Sequence, residues 1–503
     1  MKEFIVKTGS GDVRGYERDG LAEYLGIPYA RPPVGELRLK RAVPNSWEGV
    51  FDAGECGRPS VQKENGELLG SEDCLTLNIR TPLNAEKLPV LVYIHGGGFN
   101  TGSASIPLYD GKAFAREGIV YAAIQYRLNV WGFYDFTSYP EGKCFDSNCG
   151  VSDQILAMRW IHDNIAAFGG DPGRVTIAGE SAGGTSMLNM LGAPAAKGTF
   201  QQVILSSAIP NAYFTHEQGR EDIDLFLEGM GWTTADIPKL KTIDAFEVLK
   251  GNDYMSARHQ YKNPGYFLAS PVLDDLIPRR PMDVIREGGA AGIRMMVSSN
   301  LHEGTMFVRA ENTFFPNSWE MIEEMFQKNG HGDSFGAVKA YYGPRNQESI
   351  NGVGMGFVDF ATDYAFQIPA MKLAEAQGQY GDVWMYRFDF ASDFMTEIGL
   401  MAGHAMELPY EFDKKDFGLM AEEMKRPQKD IVARLTDEMH HAWAEFVKAG
   451  DPMQGRWPRY DGRGGVGTVR IYDRETRIGM LDRSEVMKLW GDMRFYEKED
   501  YGA

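Results

Sequence analysis

Five residues, Gly179-Glu180-Ser181-Ala182-Gly183, place a serine between two glycines. A serine in this pattern can act as the nucleophile of acyl transfer when a sharp strand-to-helix turn exposes its hydroxyl. Glycines are needed on both flanks because Cβ atoms there would strike neighbouring chain. The apolar run Arg174–Ala178 precedes the motif, and a helical pattern follows it at once. This context predicts Ser181 as a nucleophile; an ordinary turn with a capping serine is the alternative.

A second glycine-rich segment, His95-Gly96-Gly97-Gly98-Phe99, follows the apolar run Pro89–Ile94. Consecutive glycines let backbone N–H groups face one point. Acyl transfer needs such donors, because negative charge develops on the former carbonyl oxygen. We predict an oxyanion hole made by the N–H groups of Gly97, Gly98 and Ala182. No Gly-Lys-Ser/Thr follows, which disfavours a phosphate loop; a flexible glycine hinge is the remaining alternative.

A nucleophilic serine needs a general base, because its free hydroxyl reacts weakly at neutral pH. Among nine histidines, His404 follows the strand-like run Val383–Phe388 and lies in a stretch of small residues. In α/β enzymes whose nucleophilic serine occupies a strand-to-helix turn, the base lies in a loop after a late strand. The other histidines considered lie in the glycine loop or in helical patterns: His95, His162, His440 and His441. We predict His404 as the base.

The acid that orients this histidine should follow a strand between Ser181 and His404 in the chain. Glu303 comes just after the strand-like run Arg294–Ser298. Its carboxylate would accept the Nδ1–H of His404 and stabilise the imidazolium. His302 is a competing neighbour, and a solvated loop carboxylate is the alternative interpretation of Glu303.

These residues require a scaffold in which the ends of several strands meet at one edge. Short apolar strands alternate with helical patterns, and this alternation predicts an α/β fold with a mostly parallel central sheet and helices on both faces. The predicted strands are 89–94, 120–126, 174–178, 202–206, 294–298 and 383–388; the predicted helices are 150–167, 181–191 and 429–448; a turn is predicted at 171–173. We expect a single domain over residues 1–503, with a helical cap or insertion at about 305–380.

Composition excludes several function classes. The 503 residues are 43% hydrophobic, enough for a large core, and 70 acidic against 52 basic residues give a formal net charge of −18. Such a charge disfavours nucleic acid and anionic membrane surfaces as partners. No apolar run is long enough for a membrane helix, and the first residues lack a signal-peptide core. We expect a cytoplasmic protein.

The four cysteines, Cys56, Cys74, Cys144 and Cys149, are too few for a disulfide scaffold, and none has histidine partners at zinc spacing. No metal site is predicted. Cys144 and Cys149 are close enough in sequence to bridge, although a reducing cytosol disfavours this.

With these residues in hand, the chain resembles the type-B carboxylesterase and cholinesterase family along nearly its whole length. The matching motifs occur in order along the chain: Gly26–Ala30, Pro32–Gly35, Ser71–Asn78, His95–Phe99, Tyr126–Phe133, Phe168–Pro172, Gly179–Gly184, Asn300–Gly304, Gly403–His404 and Gly450–Pro452. The resemblance implies the α/β-hydrolase fold with a helical insertion over a deep gorge, and it implies no cofactor.

The resemblance also implies site residues. Ser181, Glu303 and His404 would form the catalytic triad, and the oxyanion donors would be those predicted above. Glu180, beside the nucleophile, would support the histidine.

Three positions depart from the family pattern. Secreted members pair the cysteine equivalent to Cys74 with an upstream cysteine whose place is held here by Ser60. A Cys56–Cys74 bridge is therefore doubtful. A serine that supports the active site in many members is aligned here with Ile209, before Pro210. The aromatic choline site of cholinesterases has no evident counterpart, so choline esters are not predicted as substrates.

The sequence thus favours a serine carboxylesterase acting on a small-molecule ester through a covalent acyl-enzyme. A non-catalytic binding or adhesion module of the same fold is one alternative. Amidase, thioesterase or lipase activity on the same triad is another. Apolar residues that could line an acyl pocket, or belong to the core, are Met306, Phe307, Phe314, Phe315 and Met355. Ester preference and oligomeric state are left open.

Overall fold

The computed structural model describes residues 2–310 and 314–496. The strands are β1 Glu3–Thr8, β2 Gly11–Arg18, β3 Leu21–Pro28, β4 Val50–Asp52, β5 Gln62–Glu64, β6 Glu67–Leu69, β7 Thr76–Pro82, β8 Leu88–Ile94, β9 Val120–Ile124, β10 Gly170–Glu180, β11 Gln202–Ser206, β12 Arg294–Asn300, β13 Ser349–Ile350, β14 Val353–Gly354, β15 Val383–Phe388, β16 Val466–Tyr472 and β17 Arg477–Asp482. The α-helices are α1 Lys112–Arg116, α2 Asn129–Phe133, α3 Cys149–Asn164, α4 Ala182–Gly192, α5 His216–Met230, α6 Leu249–Lys262, α7 Pro281–Arg286, α8 Trp319–Lys328, α9 Phe335–Tyr342, α10 Met355–Thr362, α11 Ile368–Gln377, α12 Asp393–Glu397, α13 Leu408–Glu411, α14 Gly418–Glu423, α15 Lys429–Ala449 and α16 Ser484–Trp490.

Within these described ranges, thirteen strands form one sheet. Its order is β1-β2-β3-β7-β9-β8-β10-β11-β12-β15-β16-β17, with β4 beside β2. The strands from β9 to β16 in this order run parallel, and antiparallel strands complete both ends. The predicted mostly parallel sheet is therefore confirmed.

Two apolar cores lie on the two faces of the sheet. Successive residues of a strand point to opposite faces, so Val92 enters one core and Tyr93 the other. Helix α3 contributes Ile155 to the first core, and α15 contributes Trp443 to the second. Covering both faces explains why the parallel strands are almost continuously apolar in sequence.

The predicted element boundaries need local correction. Strand β10 begins at Gly170, so the expected turn at 171–173 lies inside the strand, where its pairing with β8 shifts register between Gly170 and Val175. Strand β9 ends at Ile124, two residues earlier than expected. The segment 305–380 contains α8 to α11 and the hairpin β13–β14 in its described part; its role as a cap stays a prediction.

The cysteines are all free thiols. Cys56 and Cys144 are exposed, whereas Cys74 and Cys149 are buried, so neither pair considered from the sequence is bridged. Burial raises the pKa of the Cys74 thiol, and the nearby Ser60 hydroxyl opposes part of this rise. No helix of the described ranges has the length and apolar character needed to cross a membrane.

Candidate active site

Ser181 occupies the tight turn between β10 and α4. Its backbone angles, φ 58° and ψ −125°, are strained for a residue that carries a side chain. A Cβ on Gly179 would lie 2.5 Å from the Gly183 carbonyl, and one on Gly183 would lie 2.1 Å from the Ile94 oxygen. The Ser181 N–H donates to the Ser206 carbonyl at 3.0 Å. The side chain makes no capping hydrogen bond, so the alternative of a simple helix cap is not what the turn shows.

The backbone of the glycine loop after β8 has positive φ angles, which favour glycine. Gly97 has φ +107° and Gly98 has φ +60°, and a Cβ on Gly97 would meet the Thr101 oxygen at 2.2 Å. The Gly97 carbonyl accepts from the N–H groups of Asn100 and Thr101, both at 3.0 Å. Among the described residues, no group accepts the N–H of Gly97 or Gly98. Both glycines line the same cavity as Ser181 and Ala182.

The imidazole of His95 contacts Tyr126 and, at the start of this loop, Gly96. Its ring stacks on Tyr126 at 4.5 Å, and the Tyr126 hydroxyl donates to the His95 carbonyl at 2.7 Å. Its Nδ1 lies 2.9 Å from the Gly96 oxygen. Burial lowers the pKa of His95 to about 4, so the ring is neutral near pH 7. His95 therefore holds the loop without placing a positive charge beside it.

The structure brings His404 and Glu303 into direct contact. Nδ1 of His404 lies 2.6 Å from Oε2 of Glu303. The other carboxylate oxygen, Oε1, accepts from the Ser207 hydroxyl and from the Asn300 N–H, both at 2.6 Å. Glu303 is fully buried, which removes the alternative of a solvated loop carboxylate. Its three hydrogen-bonding partners fix the orientation of the carboxylate.

Ser207 is a site residue that the sequence did not identify. The aligned position, Ile209, suggested that the supporting serine was lost, but Ser207 donates to Glu303 from two residues earlier. It directly follows β11 and has a φ of 46°. The only signal in the sequence was its place at the carboxyl end of a buried strand, where site residues of parallel sheets concentrate.

Glu180 lies on the other side of the imidazole. Its Oε1 is 3.0 Å from His404 Nε2, and both side chains are buried. Burial opposes the charged form of His404, but Glu180 and Glu303 outweigh it and hold the pKa of the imidazole well above its ordinary value. The sequence predicted that Glu180 supports the histidine; the contact is on Nε2, the nitrogen that would serve Ser181.

Glu407 is, after Ser207, a second residue of this cluster that the sequence did not identify, although it stands only three residues after His404. It is fully buried, accepts from the Ser206 hydroxyl at 2.8 Å and is hydrogen-bonded by the Asn300 amide. Burial, with Glu180 and Glu303 adding to it, raises the pKa of Glu407 to about 8. Near pH 7 this carboxyl is mostly neutral.

A cavity of about 400 Å³ opens above these groups. Its wall is mainly apolar and aromatic: Ile209, Ala212, Phe267, Leu268, Met306, Phe307, Phe314, Phe315 and Phe366. Of the five residues considered for an acyl pocket or the core, Met355 is a core residue and does not line the cavity. Of the described residues that line the cavity, none is Lys or Arg. Across the described ranges, no three His, Cys, Asp or Glu side chains come together as a metal site would require.

Comparison with known proteins places the chain in a family. The model of the carboxylesterase family matches residues 2–490. The chain is 36% identical to the para-nitrobenzyl esterase of Bacillus subtilis (strain 168), over 92% of this chain and 93% of that protein. It is 32% identical to the phenmedipham hydrolase of Pseudarthrobacter oxydans, over 91% and 92%.

Solved structures show the same likeness. A thermophilic PNB esterase superimposes with a TM-score of 0.84 at 34% identity, covering 96% of this chain and 99% of that one. The fold is therefore the α/β-hydrolase fold. Because the family model spans almost the entire chain and the relatives match it end to end, this protein belongs to the carboxylesterase family.

Proposed function

We propose that this carboxylic ester hydrolase uses Ser181, His404 and Glu303 as its triad and acts on uncharged, largely apolar esters. One observation carries the proposal. A strained serine, two backbone N–H groups that no described residue accepts and a histidine bonded to a buried carboxylate all meet at one apolar cavity. Acyl transfer requires this combination of nucleophile, oxyanion donors and oriented base.

In the first half of the reaction, Ser181 Oγ attacks the ester carbonyl carbon while His404 Nε2 takes the hydroxyl proton. The negative charge on the carbonyl oxygen is stabilised by the N–H groups of Gly97, Gly98 and Ala182. Glu303 stabilises the imidazolium through Nδ1. When the tetrahedral intermediate collapses, the C–O bond to the alcohol breaks and Nε2 returns its proton to the leaving oxygen.

In the second half, His404 takes a proton from water, and the resulting hydroxide oxygen attacks the acyl carbon bound to Ser181. The same three N–H donors stabilise the second tetrahedral intermediate. Nε2 then protonates Ser181 Oγ as the acid product leaves. Each proton taken by His404 is returned within the same half-reaction, so no cofactor is needed for balance.

The cavity favours uncharged substrates. None of the described residues in its wall is Lys or Arg, and the imidazole of His404 already lies between the carboxylates of Glu180 and Glu303, with Glu407 buried close by. An ester that carries a carboxylate would lose hydration there without gaining an ion pair. Neutral esters with apolar acyl or alcohol groups avoid this cost.

The triad is tested with Ser181→Ala and a short-chain 4-nitrophenyl ester. Removing the nucleophile should lower kcat by roughly a thousandfold or more, with the unfolding temperature changed little. A chromogenic organophosphonate should label the parent protein with one equivalent and leave the variant unlabelled. Undiminished turnover by the variant would refute the assignment, and an unlabelled parent protein would favour a non-catalytic binding module.

A further inference from the structure

Helices α10 and α11 form one continuous helical run interrupted by a widened turn, Asp363–Gln367. In this π-helical turn the N–H of Ile368 donates to the Asp363 carbonyl, five residues back. The cause is in the sequence: Pro369 has no N–H to donate, and its ring would collide with the carbonyl four residues earlier in a regular helix. A widened turn just before the proline relieves that conflict.

The widened turn changes which side chains share a face. An α-helix advances about 100° per residue, so residues five apart would point about 140° away from each other. Because the π-helical turn holds about one residue more, Thr362 and Gln367 lie on the same side. That side faces the segment from Asn300, the last residue of β12, to Gly304, which includes Glu303.

Thr362 and Gln367 contact the chain on either side of Glu303. The Thr362 hydroxyl accepts the Gly304 N–H at 3.0 Å, and the Gln367 amide donates to the Asn300 carbonyl at 3.4 Å. Asn300 in turn donates its N–H to Glu303.

The same asparagine also reaches the histidine. The Asn300 amide donates to the carbonyl of Gly403, the residue before His404, at 2.7 Å. Gln367 is 1% exposed and does not line the substrate cavity. Asn300 therefore connects Gln367 to both the acid, Glu303, and the chain that carries the base, His404.

Phe366, between these two residues, packs on the base itself. Its ring centroid lies 4.8 Å from that of His404, and the side chain is fully buried. Phe307 lies at the same 4.8 Å on another side of the imidazole. A ring enclosed in this way can occupy few orientations, so Phe366 restricts where Nε2 points.

We propose that the π-helical turn Asp363–Gln367 is a positioning element for the acid and base: Gln367 fixes the Asn300–Glu303 segment, and Phe366 fixes the imidazole of His404. This rests on the triad proposed above. The turn exists because of Pro369, and its widened geometry is what brings Gln367 to the site.

The first test is Gln367→Met, which keeps side-chain length and removes the amide. Loss of positioning should lower kcat roughly tenfold, because small misplacements of catalytic groups are costly, while KM stays within about twofold. The matched control is Gln377→Met, in α11 of the same run. Gln377 is fully buried and its amide donates to the Ala290 and Ile293 carbonyls at 3.0 and 2.9 Å, away from the site. The control should lose thermal stability but keep its kcat.

A second pair of variants keeps the proposal falsifiable if Gln367→Met fails to fold. Because Phe366 also lines the substrate cavity, kcat and KM are measured separately: Phe366→Leu should lower kcat with KM within about twofold, and Phe366→Tyr should retain kcat. Phe360→Leu, in buried core on α10, should affect only stability. The positioning role would be overturned if Gln367→Met had the same kcat as the parent protein, or if Phe366→Leu did. Equal kcat losses in a test variant and its control would also overturn it. If Ser181→Ala stays active, the triad itself fails, which is a separate outcome.

Discussion

The charge balance around His404 decides when this residue can act as a base. Its Nδ1 contacts Glu303 and its Nε2 contacts Glu180, at 2.6 and 3.0 Å. Both carboxylates favour the imidazolium, which cannot accept a proton from Ser181. The same contacts that raise the pKa of His404 therefore stabilise the imidazolium formed during catalysis and limit activity at low pH.

Replacing Glu180 by Gln should shift the pH dependence of kcat/KM. Removing one carboxylate favours the neutral imidazole, so the pKa of His404 falls and the acidic limb of the profile moves to lower pH. Above the pKa of the parent imidazole, where both proteins hold it neutral, this effect vanishes. A kcat/KM profile from pH 5 to 9 with a neutral 4-nitrophenyl ester measures the shift.

The control is Glu423→Gln. Glu423 is also buried, but it bonds Tyr410 at 3.3 Å and does not touch His404. Its acidic limb should coincide with that of the parent protein. If the acidic limb of the kcat/KM profile of Glu180→Gln stays in place or moves to higher pH, the described charge balance is contradicted.

At the scale of elements, close approach of backbone explains the glycines of the nucleophile turn. Helix α4 and the end of β8 come so near that any side chain on Gly183 would overlap the Ile94 carbonyl. The same strand then continues into the glycine loop, so β8 and β10, which are neighbours in the sheet, place the proposed oxyanion donors beside the proposed nucleophile.

The loop from Ser60 to Cys74 offers a test of how this segment is stabilised. Ser60 and Cys74 are both buried, and the Ser60 hydroxyl is near enough to act on the pKa of the Cys74 thiol, so Ser60→Cys should form a disulfide that closes this loop. For a loop of about 15 residues the expected gain is roughly 3 kcal/mol in the free energy of unfolding. Unfolding temperature with and without a reductant measures it.

Ser60→Ala separates the disulfide from the loss of the hydroxyl, which accepts the Leu128 N–H at 3.1 Å. This control should be slightly less stable than the parent protein under both conditions. An oxidised Ser60→Cys protein that is no more stable than its reduced form would mean that the two residues cannot adopt disulfide geometry.

On the scale of the whole molecule, the formal charge of −18 should select against anionic substrates. We expect 4-nitrophenyl butyrate to react with a higher kcat/KM than 4-nitrophenyl hemisuccinate, whose acyl chain is similar but carries a carboxylate. Raising the salt concentration should narrow the gap, because screening weakens the repulsion of the anion and leaves the neutral ester unaffected. Initial rates from about 10 mM to 0.5 M NaCl test this.

The outcome depends on the sign of the salt response. If the hemisuccinate were the better substrate and salt slowed its hydrolysis, a cationic group would have to act on it, contrary to the cavity lining. Equal rates for both esters would show that the protein charge does not reach the site.

Much of the site was predictable because its chemistry demands rare local patterns. Gly179, Gly183, Gly96 and Gly97 are visible in sequence, and a Cβ at each of them would clash with neighbouring backbone. The strand pattern was likewise readable, because strands buried on both faces are nearly continuous apolar runs. The boundaries of β9 and β10 were less accurate because pairing across the sheet determines where a strand ends.

The sequence by itself determined the nucleophile turn, the glycine loop and the α/β alternation, since these depend on interactions between residues near one another in the chain. Only the tertiary structure decided that Ser207 holds Glu303, that Glu180 lies against Nε2 and that Glu407 is buried beside them. These residues are ordinary in sequence. Their roles arise from long-range contacts at the carboxyl edge of the sheet, where segments far apart in the chain share one desolvated space and set each other's charge.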